Sequence, residues 1–141
     1  QAVVDIPGDE VENMLRQHLW TTFYLAQEFV PHLLANQWGR IIVVSSPYAT
    51  QPRAKGASYA VGKAAQETLM LTLANELKGT GVTANILLVR TIDIEHKRDN
   101  DPTPRNAFWT TPEEIASAVL YICSDEARML NGARIPLYGR Q

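Results

Sequence analysis

Cysteine is nearly absent from this sequence. Cys123 is the only one among the 141 residues, so an intrachain disulfide or a metal site built from several cysteines is impossible. A lone cysteine near the end of a predicted helix is typically a small buried hydrophobe. We therefore expect Cys123 to be buried and the protein to be cytoplasmic, where thiols stay reduced.

An excess of charge and long apolar stretches are also missing. The formal net charge is -2 and the sequence pI is about 5.9, with no cluster of basic residues. This composition argues against a nucleic-acid partner. No apolar stretch approaches the ~20 residues that span a bilayer, and the acidic start of the chain is unlike a secretory signal. We expect neither nucleic acid nor a membrane as a partner.

Metal-ligating side chains lack a pattern. Several acids and histidines are present, but they do not have the spacing of metal ligands on defined elements. We predict that they lie in solvated segments and that the protein holds no metal. They are His32, Asp93, Glu95, His96, Asp99 and Asp101.

The sequence does contain alternating helix and strand patterns. Its length and its 45% hydrophobic content predict one domain over residues 1–141. Apolar residues recur at helical spacing from Val11 to Leu34, where Pro31 should kink the helix. A continuous apolar run, typical of a parallel strand buried on both faces, follows at Ile41 to Val44, and Val82 to Val89 is interpreted as a second buried strand. The predicted elements are helix 11–34, strand 41–46, helix 57–79, strand 82–89, helix 112–124 and strand 133–138.

This order predicts an α/β fold. Helices between successive strands imply right-handed crossovers and a parallel three-stranded sheet with long flanking helices. Pro136 cannot donate a ladder hydrogen bond, so the last strand should lie at a sheet edge. Residues 90–109 carry mixed charges and two prolines, which predicts a flexible flap.

Three reactive side chains stand out against this framework. Tyr59 and Lys63 are four residues apart, so they share a face of the predicted helix. A neighbouring ammonium favours the phenolate form of a tyrosine, whose pKa is otherwise about 10. Ser46 ends the preceding strand, where its hydroxyl can hold a substrate oxygen beside the phenol. Ser46, Tyr59 and Lys63 form one candidate catalytic site.

The chain resembles the short-chain dehydrogenase/reductase (SDR) family. Ser46 precedes Tyr59 by thirteen residues, the spacing of the family's catalytic serine and its Tyr-x-x-x-Lys pair, which favours Ser46 over Ser45. The pair alone is a weak signal. Three further segments follow in the family's order: Val82-Thr83-Ala84-Asn85-Ile86, Thr111-Pro112-Glu113-Glu114-Ile115-Ala116 and Asn131-Gly132-Ala133-Arg134-Ile135-Pro136-Leu137.

The resemblance implies a nicotinamide-dependent oxidoreductase that acts on an alcohol or carbonyl substrate. It assigns Tyr59 as the acid/base and Ser46 as the group that orients the substrate oxygen. Lys63 would lower the pKa of Tyr59 and hold the nicotinamide ribose, and the backbone of Ile92 would hold the nicotinamide amide. Tyr59, Lys63 and Ile92 are thus the expected contacts with NAD or NADP.

The resemblance covers only the C-terminal, catalytic half of the family's doubly wound Rossmann-like fold. Gly8 is the only glycine before Gly39, so the glycine-rich turn that cradles the cofactor pyrophosphate is absent from these residues. We expect this chain alone to bind NAD or NADP weakly or not at all, and to be weakly active or inactive. We also expect an uncovered edge on the first strand, which a second copy of the chain, a separate N-terminal fragment or the segment Gln1 to Pro7 could cover. The resemblance favours a homo-oligomer, because the elements that form the family's interfaces are retained. A non-catalytic assembly module is the alternative.

Several positions depart from the family pattern. His18 aligns with a position where many members have a catalytic asparagine, and whether it has a role stays open. Val89-Arg90 stands where the family usually has Pro-Gly, and Ile94 replaces a threonine that often contacts cofactor phosphate. These differences affect the positions at which the family contacts the nicotinamide and the phosphate of the cofactor.

Overall fold

Helices and strands alternate in the computed structural model in the order that the sequence predicts. The structure describes residues 1–139. Its helices are α1 (Gly8–Leu15), α2 (Thr21–Ala35), α3 (Ala57–Glu76), α4 (Lys97–Asn100) and α5 (Pro112–Cys123), and its strands are β1 (Gly39–Ser45), β2 (Val82–Leu88) and β3 (Arg134–Pro136). No helix within residues 1–139 is long and apolar enough to cross a membrane.

The three strands form one parallel sheet in the order β1-β2-β3. All seven residues of β2 are buried, including the polar Thr83 and Asn85, as expected for a central parallel strand. β3 lies at one edge, which accommodates Pro136, and β1 lies at the other. The α/β, Rossmann-like class with three parallel strands and flanking helices is confirmed.

Helix α3 and strand β2 supply the core. Met70, Leu73, Ala74 and Leu77 of α3 pack against alternate side chains of β2, which are Val82, Ala84, Ile86 and Leu88. Burying apolar side chains of this size contributes about 1.5–3 kcal/mol each. The first turns of α3, which carry Tyr59 and Lys63, are therefore fixed against the sheet by the packing of its later turns.

The long first helix differs from its prediction. A π-helical segment, Arg16–Trp20, separates α1 from α2, and α2 continues through Pro31. The hydroxyl of Thr21 donates to the carbonyl of Arg16 and that of Thr22 to the carbonyl of His18, at 3.0 and 2.8 Å. Such side-chain bonds to preceding carbonyls accompany irregular helical turns. The helix is thus interrupted around His18, which the sequence did not predict, and the kink at Pro31 stays a prediction.

The flap between β2 and α5 is more structured than predicted. Asp93 is 1% exposed, and its carboxylate accepts from the backbone N–H groups of Lys97 and Arg98, both at 2.8 Å. The Arg98 guanidinium donates to both carboxylate oxygens of Glu114 at 2.9 and 2.8 Å. The prediction of a solvated position is therefore wrong for Asp93, because its buried carboxylate and the ion pair of Arg98 with Glu114 fold this segment onto α5.

Cys123 also differs from its prediction. It is the last residue of α5, and its side chain is exposed rather than buried. The buried position at this end of the helix belongs to Ile122, which is 1% exposed. The side chains of adjacent helical residues point about 100° apart, so when Ile122 faces the core, Cys123 points toward solvent.

Candidate active site

Ser46 lies where two parallel strands end. The backbone N–H of Val89 donates to the carbonyl of Ser45 at 3.0 Å, which extends the pairing of β1 and β2 to this point. Ser46 follows in an extended conformation, is 3% exposed, and its hydroxyl accepts from the backbone N–H of Tyr48 at 3.3 Å. Ligands of open parallel sheets bind at the carboxyl ends of the strands. Ser46 is therefore at the expected place for a site.

Tyr59 reaches this serine from the first turn of α3. Its side chain is 38% exposed, and its phenol lies near the side chain of Ser46. Burial raises the pKa of Tyr59 above its ordinary value; the nearby Ser46 side chain lowers it, and the charge of Glu67 raises it further. The phenol is therefore protonated at neutral pH and can donate to an oxygen held by Ser46.

Lys63 lies one turn further along α3 and is 8% exposed. Its ammonium donates to the carbonyl of Val44 at 2.9 Å and to the side-chain oxygen of Gln66 at 3.1 Å. Burial lowers the pKa of Lys63, and Glu67 opposes that change. The Tyr59 phenol thus lies near Ser46, while the Lys63 ammonium is bonded to the β1 backbone. Lys63 is expected to lower the pKa of Tyr59, but the causes that act on this pKa are burial, Ser46 and Glu67, and their net effect raises it.

A hydrogen-bond chain connects Lys63 to the π-helical segment. The side-chain N–H of Gln66 donates to the hydroxyl of Thr22 at 2.8 Å, and that hydroxyl donates to the carbonyl of His18. The ring of His18 meets the ring of Tyr59 edge-on, with centroids 5.7 Å apart. Burial, followed by the charge of Lys63, lowers the pKa of His18. His18 therefore contacts the candidate acid/base as a neutral ring at neutral pH.

Glu67 forms the floor of the site, and sequence reasoning missed it. It is 4% exposed, accepts from the hydroxyl of Ser45 at 2.5 Å and pairs with the guanidinium of Arg134 at 2.8 Å. This network ties β1, α3 and β3 together directly beneath Ser46. Helical spacing offers a signal, because Glu67 follows Tyr59 and Lys63 at positions i+8 and i+4.

Gly62 allows α3 to approach α1 at the site. A Cβ built on Gly62 would meet the carbonyl oxygen of Met14 at 2.9 Å and a ring carbon of His18 at 3.0 Å. Any side chain here would push His18 away from Tyr59 or separate the two helices. Gly62 therefore sets the distance between α3 and the π-helical segment.

We expect Gly62→Ala to lower the free energy of unfolding by about 1–3 kcal/mol, the usual cost of overpacking. Chemical denaturation measures this loss. Gly8→Ala is the matched control, because a Cβ at Gly8 has nothing within 4 Å. Equal stabilities for the two variants would contradict the close packing at Gly62.

The backbone of Ile92 offers an unused donor. Ile92 forms a parallel bridge with Thr110, but the hydrogen bonds of this bridge are made by the residues on either side of Ile92. The N–H of Thr110 donates to the carbonyl of Thr91 at 3.0 Å, and the N–H of Asp93 donates to the carbonyl of Thr110 at 2.8 Å. Within residues 1–139, the N–H and carbonyl of Ile92 have no partner, and its side chain is 46% exposed. A carboxamide, which both donates and accepts, fits these two groups.

The site therefore fits one end of a nicotinamide dinucleotide. Lys63 and the Ile92 backbone suit the ribose and the carboxamide, whereas the described residues include no glycine-rich turn for the pyrophosphate. Ile94, at the position expected to contact cofactor phosphate, is 74% exposed and has an aliphatic side chain that cannot bind phosphate.

A metal centre has no counterpart in the described part of the chain. No group of three or more histidine, cysteine or acidic side chains is arranged to hold a metal ion there. The ring of His96 is instead 3.0 Å from a carboxylate oxygen of Glu113, and the ammonium of Lys97 is 2.7 Å from Glu95. These charged groups are engaged with one another on the surface.

Curated relatives resemble the chain along nearly its whole length. It is 28% identical to the 3-oxoacyl-[acyl-carrier-protein] reductase FabG of Salmonella typhimurium over 93% of this chain and 57% of the relative. It is 23% identical to the uncharacterized oxidoreductase YmfI of Bacillus subtilis, over 97% of this chain and 60% of the relative. The chain thus spans less than two thirds of the length of these relatives.

Solved structures agree with the sequence comparisons. A structure from Bacillus thuringiensis, described as that of a putative 3-oxoacyl-reductase, has a TM-score of 0.82 to this chain at 27% identity. The match covers 99% of this chain and 59% of that chain. Acetoin dehydrogenase YohF from Salmonella typhimurium shares the fold, with a TM-score of 0.87 at 24% identity. The family model described as enoyl-(acyl carrier protein) reductase matches residues 1–139. With Ser46, Tyr59 and Lys63 assembled at the ends of the strands, the chain belongs to the short-chain dehydrogenase/reductase family of oxidoreductases.

Proposed function

We propose that residues 1–141 are one domain, the catalytic half of a nicotinamide-dependent oxidoreductase that interconverts an alcohol and a carbonyl compound. The observation that carries this proposal is that the Tyr59 phenol and the Ser46 side chain lie close enough for Ser46 to lower the Tyr59 pKa, beside the buried ammonium of Lys63. This arrangement presents two hydroxyl groups to one substrate oxygen and keeps a cation next to them.

Each residue has a distinct task in the proposed reaction. A bound NAD or NADP nicotinamide supplies the hydride for carbonyl reduction, or accepts it in alcohol oxidation. Ser46 donates a hydrogen bond that positions the carbonyl oxygen, and Tyr59 transfers its phenolic proton to that oxygen as the alcohol forms. Lys63 binds the nicotinamide ribose, and its positive charge stabilises the phenolate that Tyr59 becomes. The Ile92 backbone holds the nicotinamide amide.

Cofactor affinity should be weak for the polypeptide of residues 1–141. The Lys63 and Ile92 contacts address only the nicotinamide end, and helix N-termini with glycine-rich turns are the usual source of pyrophosphate affinity. We expect a dissociation constant near or above 1 mM for NADH and NADPH, roughly -4 kcal/mol of binding free energy. Micromolar binding by calorimetry would contradict this expectation.

A deuteride-transfer assay tests the proposed function. The purified protein is incubated with millimolar NADH or NADPH that carries deuterium at C4, together with diacetyl and acetoacetate, and the products are analysed by mass spectrometry. Saturation-transfer NMR on the nicotinamide ring shows whether the cofactor is bound. Deuterium on the carbinol carbon supports the function. Because the expected dissociation constant lies near or above about 1 mM, the cofactor concentration is raised until nicotinamide signals appear. Bound cofactor without transfer then contradicts the function.

Assembly is the second candidate function, and one observation favours it. Trp20, Tyr24, Leu25 and Phe29 follow one another along the surface of α2 and the segment before it, each 45–60% exposed. Such a patch is typical of a protein interface. We propose a homo-oligomer through this helix. A non-catalytic assembly module would use the same surface, but it would not transfer deuteride. A cytoplasmic location stays a prediction from the single cysteine.

A further inference from the structure

A pocket rich in arginine adjoins the candidate catalytic serine. Its volume is about 270 Å³, and Arg53, Arg90 and Arg105 line it together with Tyr48, Phe108 and Trp109. No acidic side chain is among its lining residues. Three positive charges meet here in a chain whose net charge is -2. Like charges repel at close range, so this concentration requires a reason.

Aromatic rings hold two of the guanidinium groups. Arg53 lies over the ring of Tyr48 at 4.0 Å from its centroid. Arg90 lies between two rings, 5.0 Å from the centroid of Phe108 and 4.9 Å from that of Tyr138. A guanidinium that stacks by its flat face keeps its N–H edge available for hydrogen bonds. The rings therefore fix the direction of the cations without using their donors.

These donors have no acceptor within the described residues. None of the three pocket guanidinium groups makes a hydrogen bond or an ion pair within residues 1–139. Arg98 and Arg134, by contrast, each pair with a glutamate, and Arg40 donates to backbone carbonyls. Positioned guanidinium donors of this kind bind carboxylate and phosphate oxygens, often in bidentate fashion.

The pocket is joined to the catalytic site through the backbone. Tyr48, which stacks on Arg53, donates its backbone N–H to the hydroxyl of Ser46 at 3.3 Å. Arg90 directly follows Val89, whose N–H pairs with the carbonyl of Ser45 at 3.0 Å. Thr91 lines the pocket, whereas the proposed nicotinamide contact Ile92, which follows it, does not. The arginines thus lie near Ser46, where a substrate oxygen would bind, and near the proposed cofactor contact.

We propose that this pocket binds an anionic group of the substrate, so that the protein acts on a small carbonyl or alcohol compound that carries a carboxylate or a phosphate. The proposal rests on the proposed function, because it places the reacting oxygen of the same molecule at Ser46 and Tyr59. The volume suits a substrate of a few carbon atoms, as a water molecule in the liquid takes about 30 Å³.

Matched charged and neutral probes test the proposal by binding alone. Acetoacetate is compared with acetoacetamide, and dihydroxyacetone phosphate with dihydroxyacetone, by calorimetry on the purified protein. We expect at least one anion to bind about tenfold or more tightly than its neutral counterpart, since hydrogen bonds to charged groups are the strong ones. The pair with the larger affinity ratio shows whether the pocket prefers a carboxylate or a phosphate. Equal affinity within both pairs overturns the proposal.

Arginine variants locate the effect. In the double variant Arg90→Gln/Arg105→Gln, the affinity ratio of the anionic probe to its neutral counterpart should fall to about twofold or less. The affinity of the neutral probes should change little. Arg105→Gln alone, at an exposed position, should lower the ratio partially and does not depend on the stacking of Arg90. Arg128→Gln is the control, because Arg128 lies beside the start of β2, at the opposite end of the sheet. An unchanged ratio in the pocket variants overturns the proposal.

Two further results separate this proposal from its rivals. If the pocket held the cofactor phosphates, the double variant would weaken NADH binding while leaving the anion ratio unchanged, which overturns the proposal. Because the readout is binding, it does not depend on turnover. A protein that prefers the anionic probes through Arg90 and Arg105 but transfers no deuteride supports the pocket and contradicts the proposed function.

Discussion

Tyr59→Phe is expected to lower kcat by about 10²- to 10⁴-fold, the usual contribution of a positioned acid or base. Phenylalanine keeps the ring that meets His18 edge-on at 5.7 Å, so the local packing should survive. What it loses is the phenolic hydroxyl and its proton. Because the proposed cofactor contacts of Lys63 and Ile92 remain, cofactor affinity should change little.

Initial rates at saturating substrate and cofactor measure this effect. Tyr121→Phe is the matched control, since Tyr121 lies 58% exposed on α5 and should retain full activity. Thermal unfolding confirms that both variants fold. A Tyr59→Phe protein that keeps more than about a tenth of the wild-type kcat would contradict the proton-transfer role.

The pH dependence should have opposite signs in the two directions. The pKa of Tyr59 is raised above its ordinary value, mainly by burial, so the phenol stays protonated past pH 10. Carbonyl reduction needs the protonated phenol, and its rate should be flat through neutral pH and fall only in strong base. Alcohol oxidation needs the phenolate, and its rate should rise with pH across the same range. The slope of oxidation against pH should vanish in Tyr59→Phe.

The sequence specified the parts of the site that depend on local spacing. Ser46 ends an apolar run that is long enough for only one buried strand, and Tyr59 and Lys63 are one helical turn apart. All seven residues of β2 are buried because both faces of the strand are covered, and its valine, isoleucine and leucine residues indicate a buried strand whatever packs against it. The polar Thr83 and Asn85 are the exceptions. These features follow from periodicity, so they could be predicted without knowing what packs against them.

The parts that were missed depend on contacts between distant segments. Glu67 is a charged residue in a helix, and only the approach of Ser45 and Arg134 from two strands explains its burial. The π-helical segment lies where the hydroxyls of Thr21 and Thr22 bond to preceding carbonyls, and the apolar periodicity of the helix does not indicate those bonds. The three arginines of the pocket proposed to bind an anion lie on loops. Single-sequence patterns do not contain these pairings.

Glu67→Ala is expected to lower the free energy of unfolding by about 3 kcal/mol. The substitution leaves the Arg134 guanidinium and the Ser45 hydroxyl without their partner, and breaking a buried ion pair costs about 3–5 kcal/mol. The lower end applies because the Arg134 side chain is 31% exposed and partly screened by water. Glu67→Gln, which can still accept from Ser45, should lose roughly half as much. Denaturant titration measures both losses.

Glu67→Gln also separates positioning from simple stability. The charge of Glu67 raises the pKa of Tyr59, so its removal should shift the rise of alcohol oxidation toward lower pH, a change that loss of stability alone does not produce. Glu76→Ala, at an exposed position on the same helix, is the control and should stay within about 0.5 kcal/mol of the wild type. If Glu67→Gln left the pH profile in place, Glu67 would hold the strands together without tuning the acid, and the link between the floor of the site and its chemistry would be lost.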